Sequence, residues 1–280
     1  MSTAKKNDYL RFRMDNGSEY LQELGLFRGY IPRVMGTRMD FITLGAAEEV
    51  AAPLWEEVCG MTVRLDSVFN RFSPESEVWA FNNYGKGIPF ECSDEFRRLL
   101  DRAVSFWYDT EGLFDITKGK MLELQVDGNI LMKSGDEVGL DFGGIAKGYV
   151  LARIMRMLQS AGVGSAFVNF GNSSILALGH HPYGDCWKVG LPSPFGGDQL
   201  REYNLRDVSL STSGNTPGYS GHIVHPGSGK PVTDRRVAAV RGADPLVAEI
   251  LSTVMMIADE GQRKRILRRY PDVEAEIIDI

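Results

Sequence analysis

Cysteine is scarce in this 280-residue chain: Cys59, Cys92 and Cys186 are far apart and form no CxxC pair. That excludes a disulfide framework and offers no zinc-ligand spacing. Histidine is nearly as rare, with four in all. No stretch approaches the ~18 consecutive apolar residues of a membrane span. There is no internal repeat and no low-complexity linker. Positive charge is outnumbered, 31 Lys and Arg against 37 Asp and Glu, for a formal net charge of −6. That balance gives no reason to expect broad binding to nucleic acid or to anionic membrane, but leaves room for a local basic pocket that takes a phosphate. The opening MSTAKKNDYLRFRMDNGSEY has charges but lacks the apolar core of a signal peptide. As it stands the chain is expected in the cytoplasm, or in the periplasm or at a membrane anchor if an export signal has been trimmed.

What is present is ordinary for a globular protein, with 43% hydrophobic and 24% charged residues. Residues 1–31 are expected to form an arm or an extra edge element, and residues 32–280 a single domain. Segment 35–44 reads as a strand. An amphipathic helix follows, with Pro53 in its first turn and Leu54, Val58, Met61, Leu65, Val68, Phe69 and Phe72 at helical spacing. Ser93 is an N-cap for a second helix whose apolar face carries Phe96, Leu99, Leu100 and Ala103. Strands are expected at 113–116 and 138–142, then a helix over 145–161. Further strands are expected near 166–170, 174–178, 187–191, 208–211 and 237–241. Asp244-Pro245 starts another helix, running to about Ala258. A basic helix (262–270) and an alternating segment from Val273 close the chain. Helices and strands are interleaved, which gives the α/β or α+β class in one domain.

Three segments carry candidate chemistry. In LDFGGIAKGY (140–149), a strand expected to end at Asp141 leads through two glycines into a helix bearing Lys147. Adjacent glycines let backbone approach a ligand, and a helix N-terminus with a lysine suits a pyrophosphate. The segment reads equally as a turn that needs small residues, with Lys147 in water. In LSTSGNTPGYSGHIVHPGSGKP (210–231), His222 is a base candidate near neutral pH, and His222 with His225 is a possible metal pair. Alternatively both lie on a surface loop, as His180 and His181 do before their proline. Glu249 and Thr253 stand at i and i+4, on one helical face. They are hard oxygen donors suited to Mg²⁺, or a polar stripe that faces water.

The order of motifs resembles the ApbE family of FAD:protein FMN transferases, from about residue 32 to residue 260. MGT (35–37) resembles the family's opening strand motif. PESEVWAFNN carries Ser76, Glu77 and Asn82 of its "DSE…N" block, and LFDITKGKM keeps Asp115 and Thr117. LDFGGIAKGY is close to identical with the family signature. FVNFG (167–171), TSGN (212–215), HIVHPGSGKP and AEILSTVMMI complete eight blocks in order.

The resemblance implies a single domain, a twisted mixed sheet flanked by helices, and a deep site for FAD as substrate. It implies cleavage of FAD at its pyrophosphate, transfer of FMN to a Ser or Thr hydroxyl of a target protein, and departure of AMP, with Mg²⁺ at the phosphates. By position, Met35, Phe72, Leu113, Phe114 and Asp115 would line the flavin-dinucleotide cleft. Asp141 and Lys147 would contact FAD at the glycine turn, and Ile223 beside His222. The metal would take the Gly144 carbonyl and side chains at Glu249 and Thr253, with Ser252 beside them. His222 would be the base. Four positions depart from the family pattern: Glu249 and His225 stand where Asp is usual, Asn172-Ser173 replaces Gly-Asp, and Ala152 replaces an Asp. These departures also fit an FAD-binding protein without transfer, and a third reading has water as acceptor, giving an FAD pyrophosphatase.

Overall fold

The computed structural model describes residues 17–280. The chain enters through β1 (Gly17–Leu21), β2 (Leu26–Val34) and β3 (Thr37–Leu44). Val34 pairs with Thr37 across Met35 and Gly36, which both take positive φ, 49° and 79°. Two left-handed residues make the tight turn that matches the twist of the flanking strands. The strand expected from residue 35 therefore begins at Thr37. Residues 17–34 pair along the edge of the main sheet, and a boundary after residue 31 falls within β2.

Helix α1 (Glu48–Phe69) starts earlier than the sequence suggests, so Pro53 lies inside it and not in its first turn. Glu48 and Glu49 supply the negative charge that the helix N-terminus favours. Next come α2 (Glu77–Asn82), β4 (Phe90–Glu91), α3 (Asp94–Asp109), β5 (Leu124–Asp127) and β6 (Ile130–Lys133). Ser76 and Ser93 cap α2 and α3, accepting from the Trp79 and Phe96 amides. Then follow α4 (Ala146–Ser160), β7 (Ser165–Phe170), β8 (Ser174–Leu178), β9 (Trp187–Pro192), β10 (Gln199–Leu205), β11 (Val208–Gly214) and β12 (Arg236–Gly242). The chain ends with α5 (Pro245–Ile257), α6 (Glu260–Leu267) and β13 (Glu274–Asp279). Asp244 caps α5 by accepting from the Leu246 amide, with Pro245 in the first turn. Helix α6 opens on a capping box between Asp259 and Gln262.

Eight strands form the main sheet in the order β1-β2-β3-β7-β8-β11-β12-β13. Every neighbouring pair runs antiparallel. Short turns join β1 to β2, β2 to β3 and β7 to β8, and such turns connect only antiparallel strands. Helices α1, α4 and α5 cover one face, around Phe41, Phe96, Phe142, Phe170 and Leu65. A second apolar cluster, with Trp187, Tyr203, Leu210 and Val237, lies under the β9–β10 hairpin. The small sheet β4-β6-β5 stands apart. Among the described residues no helix is long and apolar enough to cross a membrane.

Helices α4 and α5 meet at Gly148. A Cβ there would sit 2.5 Å from Glu249 Cβ and 2.8 Å from the Pro245 carbonyl oxygen. This close approach sets the depth of the site described next. Gly148→Ala is expected to force the helices apart and destabilise the protein by about 1–3 kcal/mol, as overpacking does, read as a lower urea midpoint.

Candidate active site

One residue before that contact, Lys147 on α4 faces Glu249 on α5, and the two form an ion pair. The Glu249 side chain is only 5% exposed, and that of Lys147 19%. A charge so deep needs partners. Glu249 Oε1 takes the Lys147 ammonium, and Oε2 accepts from Ser174 Oγ at 2.6 Å and Ser211 Oγ at 2.7 Å. From Ser211 a chain of hydroxyls runs through Ser252 (3.1 Å) and Ser213 (2.8 Å) to Thr253 (3.3 Å). Ser252 itself donates to the Glu249 carbonyl, which leaves its oxygen to accept within this chain. The stripe on α5 therefore does not face water at Glu249: it faces serines of the sheet.

Gly144 lies against the other end of the hydroxyl chain. A Cβ built on it would be 3.6 Å from Thr253 Oγ1 and 3.5 Å from the Phe114 ring. Among the described residues no three His, Cys, Asp or Glu side chains gather as a metal cluster. The donor set here is different in kind: one carboxylate, a threonine hydroxyl and a glycine carbonyl, all hard oxygens. Its carboxylate holds a cation, the Lys147 ammonium, and oxygens of these types are the donors a small hard cation takes.

The Asp141–Gly144 turn is held from several sides. Asp141 Oδ1 accepts from the Gly143 amide at 3.0 Å. Its Oδ2 meets Arg71 at 3.2 Å and Lys118 at 3.1 Å. Asn82 clamps the preceding residue, donating to the Leu140 carbonyl (2.9 Å) and accepting from the Leu140 amide (2.7 Å). Asp115 organises the adjoining turn by accepting from the Thr117 amide (2.7 Å), the Thr117 hydroxyl (2.5 Å) and the Gly119 amide (3.1 Å). Residues 113–116 and 138–142 are thus not strands. Their apolar side chains, Leu113, Phe114, Ile116, Val138, Leu140 and Phe142, are buried. Their backbone is held by these side-chain clamps and by the Asp141 amide on the Ile116 carbonyl (2.8 Å).

His222 comes from the third loop. Ile223, 5% exposed, anchors it in the core. The ring stacks on Tyr219 with centroids 4.0 Å apart and planes at 21°. Nδ1 is buried and has no hydrogen-bond partner among the described residues. Burial, and then the neighbouring Lys118 charge, hold the imidazole pKa below its ordinary value, so the ring is neutral at neutral pH. The 115–119 turn touches this loop: a Cβ on Gly119 would lie 2.5 Å from the Pro226 carbonyl oxygen. His225 turns away to cap its own bend, its Nδ1 accepting from the Gly227 amide at 3.1 Å.

Phe114, Asp141, Gly144, Lys147, Glu249, Ser252 and Thr253 thus share one end of the sheet, with Asp115, His222 and Ile223 on the adjoining loops. Met35 is farther along the rim, its amide donating to Asp66 at 3.2 Å; burial pushes the Asp66 carboxyl up. Phe72 is not core, as its helical spacing suggests, but 79% exposed beyond the end of α1. The Arg71 guanidinium covers its ring at 4.5 Å. Arg71, Lys118, Ser174, Ser211 and Tyr219 were not singled out from the sequence, and Asn82 was named only as part of a motif. A small polar residue inside the apolar strand SILAL is the one local hint of Ser174.

Comparison with known proteins follows the same blocks. The model of the ApbE family matches residues 35–129 and 120–277. The FAD:protein FMN transferase of Treponema pallidum is 26% identical over 301 residues, covering 88% of this chain and 82% of its own. That of Chlamydia pneumoniae is 25% identical, covering 81% of each. The solved flavin transferase ApbE from Vibrio cholerae superposes with a TM-score of 0.76 at 21% identity, over 93% of this chain and 94% of that one. The apo flavinyl transferase ApbE of Pseudomonas stutzeri gives 0.75 at 24% identity, over 95% and 91%. A family match along almost the whole described chain, on a shared fold, leads to one conclusion: this chain belongs to the ApbE family.

Proposed function

We propose that this protein transfers FMN from FAD to a serine or threonine hydroxyl of an acceptor protein and releases AMP, with Mg²⁺ at the phosphates. The observation that carries the reading is the meeting of the Asp141–Gly144 turn, Lys147 and the Glu249–Thr253 face beside a neutral His222. Relatives that bear the name FAD:protein FMN transferase support it.

The step balances without a redox partner. The acceptor oxygen attacks the phosphorus on the FMN side of the pyrophosphate. The bond from that phosphorus to the bridging oxygen breaks, and the bridging oxygen leaves with AMP. The hydroxyl proton passes to the lone pair of the neutral His222 ring. Lys147 meets phosphate charge at the opening of α4, where free backbone amides add to the attraction. Arg71 and Lys118 hold Asp141, and so fix the glycine turn over which the phosphates lie. Mg²⁺, when bound, supplies neutralisation of phosphate charge and orientation of the attack. Glu249, Thr253 and the Gly144 carbonyl would hold it.

The direct test is HPLC of FAD incubated with the pure protein and Mg²⁺, with and without a flavin-acceptor domain proven competent with another family member. Flavin bound covalently to the acceptor, with matching AMP, is expected. Free FMN and AMP without labelling would mean hydrolysis, and intact FAD a binding protein.

Thr253→Ala is expected to abolish Mg²⁺-dependent turnover while the unfolding midpoint stays close to that of the wild type. Unchanged turnover would remove Thr253 from the metal site.

The pH profile tests the base. His222 must be neutral to accept a proton, and its depressed pKa places the acid limb of kcat/KM below the ordinary histidine value of about 6.5. Lys118→Met removes the positive neighbour that lowers the His222 pKa, and one of the two cations on Asp141, and both changes favour the imidazolium. The acid limb is therefore expected to move to higher pH. A limb that stays in place, or moves down, would show that another group sets it.

A further inference from the structure

We infer that Glu249 Oε1 is a single cation seat for which the Lys147 ammonium and a divalent cation compete, and that Ser174 and Ser211 build the seat by pinning Oε2. This rests on the reading of Glu249 as a metal-facing carboxylate. It adds what holds that carboxylate and what occupies it first.

The geometry of the serines comes from the sheet. Ser211 and Ser174 lie directly opposite each other across the β11–β8 pair. Cross-strand partners present their side chains side by side on one face. Both residues are buried, at 3% and 1% exposure, and both hydroxyls reach the same oxygen of Glu249. Two donors on Oε2 leave Oε1 as the oxygen that faces charge. Ser252 Oγ packs against Ser211 Oγ at 3.1 Å. The hydroxyls thus fix which way the carboxylate points, and are positioning residues in this sense.

The occupant of Oε1 is Lys147. Its backbone is fixed by the α4–α5 contact at Gly148, while its side chain keeps 19% exposure. A divalent cation bound to Oε1 would stand within a few ångströms of that ammonium. Repulsion between the two in a poorly hydrated site is strong, so one must leave. Lys147 is the one with another destination, since phosphate oxygens would receive it. In the absence of phosphate the lysine therefore holds divalent affinity down.

Mn²⁺ binding to the FAD-free protein, followed by the EPR signal of free Mn²⁺, tests this without turnover. Lys147→Met is expected to tighten Mn²⁺ binding by roughly ten-fold or more, since a competing positive charge is gone. Lys147→Gln, which keeps a hydrogen-bond donor without the charge, should also tighten it, and serves if the methionine variant does not fold. Ser174→Ala with Ser211→Ala is expected to weaken binding by roughly ten-fold, as two hydrogen bonds to a charged oxygen are lost. Equal or weaker Mn²⁺ binding in a folded Lys147 variant would overturn the competition. Unchanged binding in the double serine variant would overturn the pinning. Glu249→Gln separates the two levels: if it binds Mn²⁺ as the wild type does, the carboxylate is no ligand and the metal reading itself fails.

Discussion

A buried carboxylate holds this structure's functional end together. Glu249 sits on α5, and its partners come from α4, β8 and β11. Four elements that are distant in sequence are tied to two oxygen atoms. Removing one partner of such a buried pair costs about 3–5 kcal/mol, because an uncompensated charge remains. The arrangement depends on backbone proximity, and Gly148 supplies it by letting α4 lie directly against the Glu249 stem. Charge pairing and glycine packing are therefore one feature: a larger residue at 148 would move the lysine away from its carboxylate.

Around this rigid node the three loops are each stiffened from within. Asp115 accepts three hydrogen bonds in its own turn, Asp141 is held between two cations, and Asn215 donates to the Val232 and Asp234 carbonyls at the base of the His222 loop. Loops on a fixed scaffold are where binding and catalysis concentrate. Here they are also tied to one another, through Lys118 on Asp141 and Gly119 on Pro226. The Lys118 charge reaches both the glycine turn and His222, so one side chain couples these two loops.

The sequence is legible where a period and a cap agree. Helices α3, α4 and α5 are readable in the sequence, with Ser93 and Asp244-Pro245 as punctuation for α3 and α5. The strands β7, β8, β9, β11 and β12 are readable as short apolar runs between turn residues. Such runs also mislead: 113–116 and 138–142 look like strands because they are buried, but side chains of Asn82 and Asp115 hold their backbone in place of a ladder. Strand β1 lies at a sheet edge, β2 beside it, and β10 covers a face, and the apolar residues of all three alternate too weakly in sequence to stand out. The site residues themselves came from motif order. Their pairing was out of reach, because Lys147 and Glu249 are 102 positions apart and neither segment specifies the other.

The departures from the family pattern are absorbed locally, each by a different means. Asn172 takes φ of 59°, the left-handed region that asparagine tolerates best after glycine, and its amide and side chain both bond Asn169. A ring nitrogen of His225 accepts the Gly227 amide, a task a carboxylate oxygen also performs in such a bend. Ala152 is 9% exposed within α4, where an unpaired carboxylate would carry a desolvation cost. Glu249 differs from the others because it keeps a carboxylate, which His225 and Ala152 replace. One more methylene carries the carboxylate into a nest of two serines and a lysine, all from this chain. Local backbone and hydrogen bonds thus accommodate three of the changes, while at the fourth the charge stays. Glu249 thus serves the fold, by tying α4, β8 and β11 to α5, and under the proposed reaction the same carboxylate would face the metal.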